Sequence, residues 1–258
     1  MRVALTGGAT GIGAAVAARL KARGAEVTAF DLNEPQGNVD RWIRTDLGNS
    51  ASIAEAAAAA DGPYDALINN AGLPPKEGME ALILQVNFIG LRTFMNAMLD
   101  KLAPGAAIVN TASRAGAMWR DNIAEVKSLM ALNSNGDVPE FVGSRGIDHV
   151  RAYNLSKEAV VALTTAGTET MIARDLRMNS VSPAAVSTGI LDDFLTAFGE
   201  RARNAVKRAG RAGQPDEIAD VICFLASPES RWIKGQDIVI DGGISAMVAS
   251  DALQLEPS

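Results

Sequence analysis

Two apolar patterns alternate along the chain. Short runs of β-branched and small apolar residues stand at 3–5, 26–30, 42–44, 66–68, 106–110, 178–181 and 237–240, with turns rich in Gly, Asn or Asp after them. Between these runs lie longer stretches with apolar residues at helical spacing, predicted to begin near Ile12, Ser50, Leu82, Asn154 and Pro215. Short apolar runs bounded by turn formers read as strands buried on both faces, and their repeated alternation with helices is the pattern of βαβ units. The expected class is therefore α/β: a Rossmann-like, doubly wound parallel sheet of seven strands with helices on both faces, forming one domain over 1–258. The Ala-rich segment 54–60 reads as helix surface, because alanine loses little entropy there. Only the tail 250–258 reads as free to fray.

Composition narrows this picture. The 258 residues, 48% hydrophobic and 21% charged, suffice for one substantial core and exclude disorder and collagen. With 24 Lys and Arg against 30 Asp and Glu, the net charge of −6 lacks the cationic surplus that phosphate backbones require, so no nucleic-acid partner is expected. Gly7 and Gly8 interrupt the first apolar stretch too soon for a signal-peptide core, and no later segment reads as membrane-spanning. The single cysteine, Cys223, lies in an apolar run and reads as a buried reduced thiol. A cytoplasmic protein without a membrane partner is expected.

Candidate chemistry begins after the first strand, at Thr6-Gly7-Gly8-Ala9-Thr10-Gly11-Ile12-Gly13. Glycines there let backbone approach a pyrophosphate, while the following helix offers free N–H groups and its positive dipole end. Structural turns use the same glycines, so position decides: this cluster lies between the first strand and the first helix. Asp31 ends the second strand 18 positions past Gly13, close to the offset of about 20 at which a carboxylate accepts hydrogen bonds from an adenosine ribose. A turn aspartate is the plainer reading. A carboxylate here would repel a 2′-phosphate, and neither the glycine loop nor 32–35 supplies a balancing cation, so NAD is expected rather than NADP.

Tyr153 and Lys157 stand at i and i+4, on one face if helical. A cation beside a phenol favours phenolate and is expected to lower the tyrosine pKa toward working pH, which suits acid/base chemistry on an alcohol. Such pairs also occur as surface decoration. Ser113 is expected to end the fifth strand, where it would reach a substrate oxygen at the carboxyl edge of the sheet, although serines there are usually caps. His149 has no partner at ligand spacing, so it is read as insert surface and no metal site is expected.

The order Thr6-Gly7 through Gly11-Ile12-Gly13, Asn69-Asn70-Ala71-Gly72, Asn87, Ser113, Tyr153 with Lys157, and Asp241-Gly242-Gly243 resembles the short-chain dehydrogenase/reductase family over nearly the whole chain. The resemblance implies that Tyr153 transfers the proton and Ser113 polarises the carbonyl or alcohol. It implies further that Lys157 binds the nicotinamide ribose and assists Tyr153, and that Asn87 completes a proton relay. Cofactor contacts are implied for Gly7, Thr10, Gly11, Ile12, Gly13, Asp31, Asp46, Leu47, Asn70, Ala71, Gly72, Tyr153, Lys157, Pro183, Val186 and Thr188, with Asp46 and Leu47 against adenine and Thr188 near the carboxamide.

Two departures stand out. Pro183 is followed by Ala184 where the family often has Gly. The interval 114–152 is longer than in most members and reads as an inserted amphipathic helix followed by a turn. The insert resembles that of bacterial hydroxysteroid dehydrogenase/carbonyl reductases and coniferyl-alcohol dehydrogenases. The segment 186–208 is expected to be a substrate lid, with simple packing as its plainer reading. The expected activity is NAD-dependent interconversion of alcohol and carbonyl on a bulky hydrophobic substrate, aromatic, allylic or steroid. The alternatives are a ketoreductase of small polar compounds and a non-catalytic NAD-binding protein. Because the insert precedes the helix of Tyr153, a homodimer through the C-terminal edge is expected over a tetramer.

Overall fold

The computed structural model describes residues 1–255. In chain order the elements are β1 (Arg2–Thr6), α1 (Gly11–Ala22), β2 (Glu26–Asp31), β3 (Arg41–Arg44), α2 (Ser50–Ala59), β4 (Tyr64–Asn69), α3 (Glu80–Leu84), α4 (Leu91–Met98) and β5 (Leu102–Thr111). They continue with α5 (Ile123–Met130), α6 (Val138–Arg145), α7 (His149–Ala166), α8 (Thr168–Ala173), β6 (Arg177–Pro183), α9 (Leu191–Arg208), α10 (Pro215–Ala226), β7 (Asp237–Ile240) and α11 (Ile244–Leu253). The strands form one sheet in the order β3-β2-β1-β4-β5-β6-β7, every neighbouring pair parallel. The order reverses between β1 and β4, which opens a crevice at their carboxyl ends.

Apolar side chains cover both faces of the sheet, as the continuous apolar runs require. On one face, Val16 and Leu20 of α1 pack with Ile218, Ile222 and Cys223 of α10 against β1, β4 and β5. Burial there pushes the Cys223 thiol up to about 11 and leaves it unreactive. On the other face, Ile53 of α2 and Phe94 and Met98 of α4 pack against Phe30, Leu67 and Ile108. A third cluster joins α7 to the insert through Val126, Leu129, Val138 and Phe141.

All seven strands stand where the pattern placed them, but several boundaries differ. The helix expected near Asn154 begins at His149, because the Asp148 carboxylate accepts from the Arg151 N–H and caps it. The insert holds two helices, α5 and α6, rather than one helix and a turn, since the polar stretch between them forms a capping box from Ser134 to Asp137. Strand β5 ends at Thr111, and Ser113 instead caps a short 3₁₀ turn, its Oγ accepting from the Ala115 N–H at 3.2 Å. Helix α11 occupies much of the tail expected to fray; 256–258 lie outside the described residues.

Contrary to expectation, one helical stretch reaches a membrane-spanning length. The continuous helical stretch Glu80–Lys101, 22 residues, is long and apolar enough to cross a membrane by composition alone. Its apolar residues, among them Ile83, Leu84, Phe88, Phe94 and Met98, are spent on the core of the fold. A π-helical turn, Gln85–Gly90, sits in its middle and carries the fully buried Asn87; such turns recur at functional sites.

Candidate active site

At the carboxyl end of β1 the chain comes too close to its neighbours for side chains. A Cβ on Gly13 would stand 1.8 Å from the Gly7 carbonyl oxygen, and one on Gly7, whose φ is +72°, would stand 2.6 Å from the Ala71 Cα. Thr6 Oγ1 accepts from the N–H groups of Asn70 at 3.0 Å and Ala71 at 3.1 Å, which ties the turn after β4 to the end of β1. The Asn70 amide donates to the Gly7 carbonyl at 3.1 Å. Helix α1 then starts at Gly11 with no side-chain cap and no acidic residue in its first turn. Its first N–H groups and positive dipole end are left for an anion, so this cradle fits a dinucleotide pyrophosphate.

Asp31 ends β2 beside the cradle. One carboxylate oxygen accepts from the Ala9 N–H and the other from the Asn33 N–H, both at 2.9 Å. These bonds hold a fixed anion where a ribose would lie. A cation that linear order hid stands opposite: Arg44 of β3 is the register partner of Asp31. Asp46 accepts from the Gly48 N–H at 2.8 Å in the turn after β3, and Leu47 is buried beneath it. At the far side of the crevice Pro183 ends β6, and Val186 bridges to Gly213. Thr188 reaches the glycine turn: a Cβ on Gly11 would lie 3.3 Å from its Cγ2.

The four candidate catalytic residues come from two elements, the π-helical turn Gln85–Gly90 and α7, and from the turn after β5. Tyr153 and Lys157, one turn apart on α7, are both buried, and the Lys157 Nζ lies 5.8 Å from the Tyr153 ring centre. Lys157 donates to the Thr111 carbonyl at 2.9 Å. Ser113 stands by the Tyr153 phenol, where its hydroxyl favours the ionised form. Asn87 accepts from the Leu73 N–H at 2.7 Å, donates to the Leu73 carbonyl at 3.0 Å and approaches the Ser156 hydroxyl at 3.4 Å. Its Oδ1 and the Lys157 Nζ face the same spot, 3.2 and 3.5 Å from where a Gly72 Cβ would sit.

The expected lowering of the tyrosine pKa does not occur here. Burial pushes Tyr153 up to about 12, and the Ser113 hydroxyl offsets only part of that. Burial likewise brings Lys157 down to about 8. Phe194 and Phe198 of α9 contribute to that burial, their ring centres 5.1 and 6.3 Å from the Tyr153 ring centre. Water that would hydrate the phenolate is excluded, so the neutral acid is favoured.

Several contributors escaped the linear reading. Thr111 acts through its carbonyl, which no side-chain motif reveals. Ser156 donates to the Tyr153 carbonyl at 2.7 Å and links it to Asn87. Arg151 pairs with the buried Glu158 at 2.7 Å and with Glu125 of α5 at 2.8 Å, tying the insert to α7. Arg92 of α4 donates to the carbonyls of Met130 and Leu132 at 2.6 and 2.5 Å, closing the end of α5.

Known proteins resemble this chain in sequence and fold. The family profile described as short chain dehydrogenase matches residues 2–125, and the one described as Enoyl-(Acyl carrier protein) reductase matches residues 138–245. A coniferyl-alcohol dehydrogenase of Pseudomonas sp. is 32% identical over 247 residues, covering 95% of this chain and 96% of that one. A 3-alpha-hydroxysteroid dehydrogenase/carbonyl reductase of Comamonas testosteroni is 29% identical over 257 residues, covering 95% and 97%. Among solved structures, the 3-alpha-hydroxysteroid dehydrogenase from Pseudomonas sp. B-0831 complexed with NADH has a TM-score of 0.85 at 28% identity, covering 97% of this chain and 99% of that one. Matched end to end by relatives that share its sheet, the chain belongs to the short-chain dehydrogenase/reductase family, as an oxidoreductase acting on alcohol and carbonyl groups.

Proposed function

We propose that the protein is an NAD-dependent dehydrogenase/reductase interconverting an alcohol and a carbonyl on a bulky, hydrophobic substrate. The observation that carries this reading is a buried Tyr153, beside Ser113 and close to Lys157, lying beneath two aromatic rings of α9. In this reading the glycine cradle and the start of α1 hold the pyrophosphate. Asp31 holds the adenosine ribose and disfavours a 2′-phosphate. Gly72 leaves the nicotinamide ribose room beside Lys157. Bound NAD supplies the hydride acceptor for oxidation, and NADH the hydride donor for reduction.

The side chains manage the proton. Ser113 donates a hydrogen bond to the substrate oxygen. In reduction, the protonated Tyr153 gives its phenolic proton to the alkoxide oxygen as it forms. In oxidation, the Tyr153 phenolate takes the hydroxyl proton, with the Lys157 Nζ nearby to favour that phenolate whenever it is protonated. Asn87 completes a water-linked relay that carries the proton onward, as the family resemblance implies. The rings of α9 exclude water during the step, which is the work of a lid over 186–208.

NADH absorbance followed against aromatic, steroid and small aliphatic alcohols tests this directly. Turnover confined to small polar substrates favours the ketoreductase alternative, and none at all favours a non-catalytic NAD-binding role. Comparable kcat/KM with NADP overturns the NAD assignment and points to Arg44. Replacing Asp31 by Asn narrows the preference, mainly by removing repulsion.

A homodimer through the C-terminal edge is part of the same proposal. Strand β7 is an edge strand, with Val239 exposed on it and Val248 and Leu253 exposed on α11, while the insert packs on α7. Light scattering after size exclusion decides it: a stable tetramer is incompatible with this arrangement.

A further inference from the structure

Phe194 and Phe198 are one helical turn apart on α9, so their rings share a face. Phe194 meets the Tyr153 ring edge to face, with centroids 5.1 Å apart and planes at 74°. Phe198 meets the same ring at 6.3 Å and 69°, and the two phenyl planes lie within 5° of parallel. Trp119, Met130 and Leu132 of the insert border the same cluster. The approach to the candidate proton donor is thus walled by two parallel aromatic rings.

The segment carrying these rings is separable from the rest of its helix. Gly199, directly after Phe198, has φ 57° and ψ −140°, which breaks the helix at that residue. Beyond the break, Arg208 binds Asp251 of α11 through two bonds of 2.6 and 2.9 Å. At the base, Val186 bridges to Gly213, and the Ser187 N–H donates to the Gly213 carbonyl at 2.8 Å. Both ends of 187–212 are therefore pinned, and none of the residues of α9 is fully buried. A substrate between the rings and Tyr153 requires the ring-bearing half to move about Gly199.

What fits that space best is another flat ring. Aromatic rings gain from offset and edge-to-face contact beyond the area they bury, whereas a saturated ring of the same carbon count gains from burial alone. A polyhydroxylated substrate would leave its hydroxyls unpaired against the wall.

We propose that Phe194 and Phe198 are the specificity-determining residues of the site, selecting an alcohol whose carbinol carbon bears a planar aromatic ring over one bearing a saturated ring. This rests on the alcohol dehydrogenase reading given above and narrows it.

The test compares racemic 1-phenylethanol with racemic 1-cyclohexylethanol at saturating NAD in the wild type, Phe194→Leu, Phe198→Leu and Phe194→Tyr. Leucine keeps apolar bulk and removes the aromatic face; tyrosine keeps the ring. The wild type is expected to favour the phenyl substrate in kcat/KM. Each leucine variant is expected to lose about two- to tenfold on that substrate, mainly through KM, and less than twofold on the cyclohexyl one. Phe194→Tyr retains the preference. Equal efficiency of the wild type on both alcohols overturns the proposal. So do equal losses on both in a leucine variant, no change in either leucine variant, or loss of preference in Phe194→Tyr. NADH fluorescence titration separates the failures: a wild type that binds NADH and oxidises neither alcohol refutes the underlying activity rather than the ring selection. If a leucine variant no longer binds NADH, the wild type and Phe194→Tyr decide the matter.

Discussion

The proposed cofactor cradle and the proposed substrate wall are built in opposite ways. In the cradle, backbone meets backbone: the Gly7 carbonyl lies where a Gly13 Cβ would be, and the turn after β4 presses on Gly7. In the wall, the contacts are made by side chains supplied from segments far apart in sequence. Arg92 and Arg151 fasten the insert, and Phe194 and Phe198 reach Tyr153 from a helix with no fully buried residue. Backbone contacts of this closeness hold only for a narrow set of residues, so the cradle is rigid and its sequence constrained. Side-chain contacts can be replaced one at a time, so the wall can change with the substrate while the cradle stays as it is.

Substitutions on either side break or sharpen this contrast. The largest effect is expected from Tyr153→Phe, which removes the proton carrier and almost no volume: kcat falls by about a thousandfold while NADH affinity stays within a few fold. Since the buried phenol is held at about 12, oxidation by the wild type is also expected to quicken as pH rises through the alkaline range, because phenolate is the form that accepts the proton. A variant that keeps most of its rate reassigns the acid/base role.

Gly13→Ala attacks the cradle itself. With 1.8 Å to the Gly7 oxygen, the backbone must move, costing roughly 3 kcal/mol of stability. NADH affinity falls at least about tenfold as the turn shifts away from its pyrophosphate-binding geometry. Calorimetry and fluorescence titration read both quantities, and wild-type values in both would show that the cradle tolerates side chains after all.

Lys157→Met trades function for stability. The lysine titrates at about 8 when folded, against 10.5 ordinarily. Between those values the unfolded chain holds more protons, so wild-type stability rises with pH through that window. Below it, the buried charge costs about 3 kcal/mol. The substitution is therefore expected to raise the melting temperature at pH 7, with a gain that shrinks toward zero above pH 10.5, while turnover collapses. A gain independent of pH would attribute the effect to packing instead.

The smallest effect is expected in the insert. Glu125→Gln weakens one half-exposed ion pair of Arg151 and leaves the buried Glu158 in place, costing under about 1 kcal/mol with activity preserved. A loss of several kcal/mol by chemical denaturation would mean that the insert, too, is tightly determined.

Much of the cradle was legible because its constraints are local. The glycines, the strand before them and Asp31 fall within one βαβ unit, and close backbone approach admits few residue types. Tyr153 and Lys157 were legible because helical spacing puts i and i+4 on one face. The boundaries that differed followed side-chain capping: Asp148 started α7 early, and Ser134 with Asp137 started a second helix in the insert. Apolar periodicity does not register such caps.

By itself, then, the amino-acid order determined the α/β alternation, the seven strands and the residue types that line the crevice, since burial on both faces and tight turns are written in local composition. Tertiary structure decided how those residues behave. Only the folded chain shows Arg44 opposite Asp31, the Thr111 carbonyl on Lys157, and two phenyl rings closing over Tyr153. Ionisation depends on the water and charge around a group, and that surrounding is assembled from distant parts of the chain. For this reason a tyrosine whose sequence neighbours promised a lowered pKa is raised to about 12.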